Sequence, residues 1–164
     1  MNVPRLSRRF EDALVFAARL HAGDIRKGTS IPYLVHVLGT ASLAQIREKF
    51  GNAVAEIVRG CTDTDETPKP PWRARKEAYV RHIQDASASI RLVSTSDKLH
   101  NARAILSDYR VVGEALWSRF KGGKEGTLWY YRTLVDAFHK AGNTPLVEEL
   151  DRVVSEVERL EARG

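Results

Sequence analysis

Cysteine is almost missing from this sequence: Cys61 is the only one. That excludes a disulfide framework and a zinc knuckle within the chain, and it makes a reducing cytoplasm the expected setting. Long apolar runs are missing too. No window is long and apolar enough to span a bilayer, so no membrane partner is expected. The basic start, with Arg5, Arg8 and Arg9, runs into Glu11 and Asp12 rather than into the hydrophobic stretch of a signal peptide. No segment alternates apolar and polar residues with a period of two, so no strand is expected. There is no internal repeat and no low-complexity tract.

What is present fits one soluble domain. A chain of 164 residues is expected to form a single domain over 1–164 and to bury a real core. Hydrophobic residues at 43% and charged residues at 29% are ordinary for a globular protein. The net charge of +5 suits a polyanionic ligand, nucleotide or nucleic acid. Basic residues are also spread along the whole chain, which equally suits a protein that is merely basic.

Helical spacing of apolar residues dominates. Residues 8–21 make an amphipathic pattern closed by Gly23, with His21 in the last turn as a carbonyl cap or core histidine. A polar turn-forming run covers 24–32, and Pro32 opens a second helix. Residues 52–60 read as a helix, and 61–71 as a linker with three prolines. Pro71 is placed at N1 of a helix over 72–84. The longest helix is expected over 86–109, a short one over 114–120, a flexible glycine-rich break over 121–126, and a helix over 127–140. Thr144 is expected to cap the last helix, with Pro145 at N1. Leu146, Leu150, Val153, Val154, Val157 and Leu160 give that helix a continuous apolar stripe. The fold class expected is all-α, a single-domain helical bundle.

Chemistry concentrates in a few places. Asp97 interrupts an apolar helical face, and an ionised carboxylate there needs a partner: Lys98 or Arg103 by sequence, or a cation. Asn101 follows four residues later on the same face. Small polar Ser94, Thr95 and Ser96 leave room for something to approach. Arg26 and Lys27 sit on the glycine-rich loop, where a guanidinium fork beside a point charge suits one phosphate, although a solvated basic loop has the same composition. Arg73, Arg75, Lys76 and Arg81 make the 72–84 helix basic, either as a solvated face or as a phosphate contact. Asp63, Asp65 and Glu66 in the linker do not have calcium-loop spacing, so a solvated loop is expected for them. His36 lies three residues after Tyr33 and shares its face.

Ala13 to His21, the Arg26-Lys27 loop with Pro32-Tyr33-Leu34-Val35-His36, Pro71 to Lys76, and Asp97-Lys98-Leu99-His100-Asn101 resemble the metal-dependent HD phosphohydrolases. Within them the likeness is to the small (p)ppGpp 3'-pyrophosphohydrolases, the hydrolase half of the RelA/SpoT proteins. The resemblance implies an HD-type helical bundle. It implies a divalent metal, usually manganese (Mn2+), with His36 and Asp97 as two of its four ligands. Arg26, Lys27, Lys76 and Asn101 become the substrate-binding residues, and ppGpp the partner, with nucleic acid not expected.

One element of that family is missing. No His-Asp dipeptide occurs anywhere in the chain. Val37 to Leu43 resembles the start of the family's second helix, and Ala44 to Gly51 resembles the segment after the His-Asp helix; the two are joined directly. The Glu-Asp pair that handles proton transfer is absent with that helix, so no catalytic residue is identified. Loss of the helix, or omission of its segment from the sequence, would each produce this junction. His82, His100, Asp63 or Asp85 would replace the lost ligands only after refolding. Two further readings stand beside the hydrolase: a degenerate relative that binds nucleotide without turnover, and a basic helical interaction module built on the 72–81 helix.

Overall fold

A computed structural model describes residues 40–163 except Asp65, together with Arg8, Asp12 and Val15. The readings for the 8–21 helix, the loop with Arg26 and Lys27, and His36 lie outside the described residues.

Six α-helices and one 3-10 helix are described within residues 40–163, in order: α1 (Thr40–Phe50), α2 (Asn52–Cys61), α3 (Trp72–Asp85), α4 (Ala88–Val112), the 3-10 helix (Gly113–Arg119), α5 (Gly123–Ala141) and α6 (Pro145–Glu161). No strand occurs among the described residues, and the fold is all-α. Helix α4 is the spine. It packs along α6 on one side, receives α2 on another and turns into the 3-10 helix, while α3 lies along α5.

Local chemistry explains most boundaries. Ser87 caps α4, its Oγ accepting from the Ile90 amide at 3.3 Å. Thr144 caps α6 in the same way through Val147, with Pro145 next, as its sequence predicts. Pro71 stands at the N-cap of α3 rather than at N1, one residue earlier than expected. Helix α4 runs on to Val112, three residues past the expected end, and stops where Gly113 takes a φ of 56°.

Two expectations are corrected. The short helix expected over 114–120 is a 3-10 helix over Gly113–Arg119, one residue earlier at each end, with Leu116 and Trp117 buried. The expected glycine-rich break over 121–126 is mostly the first turn of α5. The reason is contact rather than flexibility. A Cβ on Gly122 would lie 2.6 Å from Cη2 of Trp72, and one on Gly126 would lie 3.2 Å from the same indole. The missing side chains let Trp72 of α3 lie against the start of α5.

The main core gathers Ile83, Leu99, Ile105, Leu116, Leu134, Phe138, Leu150 and Val153 from α3, α4, the 3-10 helix, α5 and α6. Full burial of each such side chain is worth about 1.5–3 kcal/mol. A smaller cluster of Ile46, Val54 and Ala55 joins α1 to α2, with Val93 of α4 packed against it. Gly60 makes this junction possible, since a Cβ there would meet Ile90 at 2.6 Å.

Candidate functional site

Helical spacing puts Ser94, Asp97, Lys98 and Asn101 on one face of α4. Ser94 and Lys98 are buried, and Asp97 and Asn101 half-buried. Both Asp97 oxygens are engaged. Lys98 Nζ stands 2.6 Å from Oδ2, and Asn101 Nδ2 donates to Oδ1 at 3.0 Å. Of the two cations that the sequence offered Asp97, the structure selects Lys98; Arg103 reaches Glu149 of α6 instead.

Helix α3 supplies the facing wall. Tyr79 is buried, and its hydroxyl lies 2.6 Å from Ser94 Oγ, so the small polar run on α4 makes room for a tyrosine of this chain. The Lys98 ammonium lies 5.3 Å from the centre of the Tyr79 ring. One turn earlier, Lys76 Nζ stands 3.0 Å from Asp63 Oδ2, and Arg75 Nη1 donates to the same oxygen at 2.5 Å. Arg75 also ties the linker down through Nε to the Pro70 carbonyl. The expectation of solvated linker acids is therefore wrong for Asp63. Two cations that reach it from α3 hold its carboxylate, and only 13% of its side chain is exposed.

Helix α5 closes the cluster with Tyr130, whose ring centre is 4.8 Å from Lys76 Nζ. Trp72 meets Tyr130 and Trp129 edge-on, with ring centroids 6.3 Å apart in each case. The Tyr130 hydroxyl is buried and has no hydrogen-bond partner among the described residues.

Burial and charge set the electrostatics. Burial pushes the Lys76 ammonium down, partly offset by Asp63, while Lys98 repels it. For Lys98 burial works the same way, but the Asp97 carboxylate bonded to it opposes the burial and holds the ammonium charged. Burial raises both phenols, Tyr79 and Tyr130, and keeps them protonated. Burial also drives the Cys61 thiol up to about 12, so it is an inert neighbour rather than a nucleophile.

The structure thus joins Lys76, Asp97 and Asn101 in one polar cluster. Reading the sequence overlooked Asp63, Arg75, Tyr79 and Tyr130 as members. Tyr130 falls at a core position of its helix by spacing, and nothing local distinguishes a core tyrosine from one that adjoins a polar cluster. The suggested replacement ligands do not assemble. His82 is exposed, its Nε2 3.2 Å from the Gly60 carbonyl; His100 and Asp85 are exposed; Asp63 is taken by Arg75 and Lys76.

The family model described as the HD domain matches residues 41–127, a span from α1 into α5 that contains every member of the cluster except Tyr130. The chain belongs to the HD-domain family. Membership points to metal-dependent phosphohydrolase chemistry in general. No curated protein sequence matches the chain. Among solved structures, the crystal structure of lmo0812 from Listeria monocytogenes EGD-e is similar. The match has a TM-score of 0.62 at 19% identity, and it covers 96% of this chain and 90% of that one. At that identity the likeness concerns the fold alone.

HD domains generally bind divalent metals. The described part of this HD domain does not by itself make such a site: no three His, Cys, Asp or Glu side chains come together among the described residues. Asp97, the described ligand candidate, is already neutralised by Lys98. A divalent ion placed there would meet a buried ammonium 2.6 Å from the oxygen it needs. His36 lies outside the described residues.

Proposed function

We propose that this HD-domain chain acts on the phosphates of a nucleotide, as a hydrolase of the 3'-pyrophosphate of (p)ppGpp. The observation that supports it is the Asp97–Lys98–Asn101 constellation, which lies within the family-matched span, with a second cationic group, Lys76, on α3, the helix whose Tyr79 meets Ser94 of the same α4 face. The chain's own residues suggest a division of labour. Lys76 and Lys98 offer positive charge to phosphate oxygens, and Asn101, held by Asp97, offers an amide to a sugar hydroxyl. Arg26 and Lys27 would add phosphate contacts from their loop, and manganese would activate water in the family's manner.

A second reading has its own support. Because Lys98 neutralises Asp97, the chain would bind nucleotide without turning it over. One experiment separates the two: ppGpp binding and ppGpp hydrolysis with added manganese, on protein whose intact mass matches 18.4 kDa. Hydrolysis at that mass establishes the enzyme. Binding without hydrolysis establishes the second reading, and absence of both removes the nucleotide altogether. Arg26→Ala combined with Lys27→Ala is expected to weaken ppGpp affinity while leaving helicity unchanged; unaltered affinity would remove the loop from the site.

A further inference from the structure

Helices α4 and α6 run side by side in the same direction and share a charged seam. Arg103 of α4 donates to Glu149 of α6 at 2.7 Å, and seven residues later on both helices Arg110 donates to Glu156 at 3.2 Å. Each glutamate takes a second arginine from three residues further along α6. Arg152 gives Glu149 two bonds of 2.7 Å, and Arg159 bonds Glu156. The seam therefore has two Arg–Glu–Arg rungs, about 10.5 Å apart at the helical rise.

Each rung sets two guanidiniums against one carboxylate, so one positive charge per rung is not matched within it. The four arginine side chains are 56% to 67% exposed, and the glutamates between them are 28% and 18% exposed. Ser107 and Ser155, the positions between the arginines on the outer row of each helix, are exposed and uncharged. Exposed ion pairs add little to stability, so holding the fold together does not call for a second arginine on each glutamate. A guanidinium carries five donors in a fork, and Arg103, Arg110 and Arg159 each give one nitrogen to a glutamate. Beside the second rung Val111 is 81% exposed. An exposed valine suits contact with a protein side chain and offers nothing to a phosphate backbone.

We propose that the α4–α6 seam docks an acidic helix of a protein partner, with carboxylates seven residues apart on the two rungs and an apolar side chain over Val111. Carboxylates at that spacing share one face of a helix and stand about 10.5 Å apart, which is the spacing of the rungs. Glu149 and Glu156 hold the guanidiniums in place, and the forks give their outward donors to the incoming carboxylates. The surface is separate from the nucleotide reading and does not depend on it.

The test is fluorescence anisotropy of a labelled helical peptide that carries two glutamates seven residues apart and a leucine on the same face. It is expected to bind the full chain at low salt and to be released in about 1 M salt. A peptide of the same composition, with its glutamates on opposite faces, is expected to bind at least about tenfold more weakly. Arg110→Gln combined with Arg159→Gln is expected to weaken the first peptide about tenfold, and Val111→Ser to weaken it by a smaller factor. All three positions are exposed, and circular dichroism is expected to show unchanged helicity in both variants. Absence of binding at low salt overturns the proposal, as does equal binding of the two peptides or an unaltered affinity in the double variant. Random duplex DNA is titrated in parallel. If it binds more tightly than the acidic peptide and loses affinity in the double variant, the seam serves nucleic acid and the proposal falls.

Discussion

A single carboxylate shows how much hangs on a partner. Asp97 is held by Lys98 and Asn101 on α4, and its side chain is only 14% exposed. Removing one member of such a buried pair strands the other charge, whereas removing both removes the conflict. Asp97→Asn alone and Lys98→Met alone are each expected to cost about 3 kcal/mol, and the double variant clearly less than their sum. Urea denaturation of the four proteins measures the coupling. Additive losses would mean that the two groups do not depend on each other. In the catalytic assay, Asp97→Ala is expected to abolish any metal-dependent turnover, and unchanged turnover would remove Asp97 from the site. The sequence showed that Asp97 needs a cation and named Lys98 among the candidates. It gave no means of choosing, since an adjacent lysine, a lysine-like metal contact and an arginine further along satisfy the same rule.

At the scale of elements, the glycines before α5 do the opposite of what their composition suggests. Gly122→Ala is expected to destabilise by about 1–3 kcal/mol, because the new methyl group would lie 2.6 Å from the Trp72 indole and one of the two must shift. At Gly123 nothing lies within 4 Å, but φ is 59°. There an alanine pays only for its left-handed backbone, about 1 kcal/mol. Thermal denaturation of the two variants should rank them in that order; the reverse order would mean that the Trp72 contact is soft. The start of α6 behaves more conventionally. Thr144→Ala loses the bond to Val147 and is expected to cost about 1 kcal/mol, read as a lower urea midpoint.

For the whole molecule, exposed ion pairs between helices decide the response to acid. Hydrogen bonds from Arg152 and then Arg103 lower the Glu149 carboxyl from its ordinary 4.5 to about 2. Arg132 lowers Asp151, and Tyr109 with Lys124 lowers Glu114. Each carboxyl binds its proton more readily in the unfolded chain than in the folded one. The stability they contribute is therefore complete above about pH 5 and is lost as pH falls toward their folded values. Melting temperature is expected to stay flat with respect to these groups above that point and to decline below it. The decline should shrink in about 1 M salt, which screens exposed pairs. A Tm that rises on acidification would contradict this account.

What the sequence determined by itself is the local part of the protein. The absence of strands, the order of the helices, the cap at Thr144, the apolar stripe of α6 and the polar string on α4 all follow from spacing within a turn or two, where neighbours in sequence are neighbours in space. Tertiary structure decided the rest. Asp63 is buried because Arg75 and Lys76 reach it from another element. The glycine run is helix because Trp72 arrives from α3. Tyr130 belongs to the polar cluster because α5 lies along α3 and brings its ring to Lys76. None of these contacts leaves a periodic trace, since each is made by a residue whose partner is fixed by how helices pack and not by its distance along the chain.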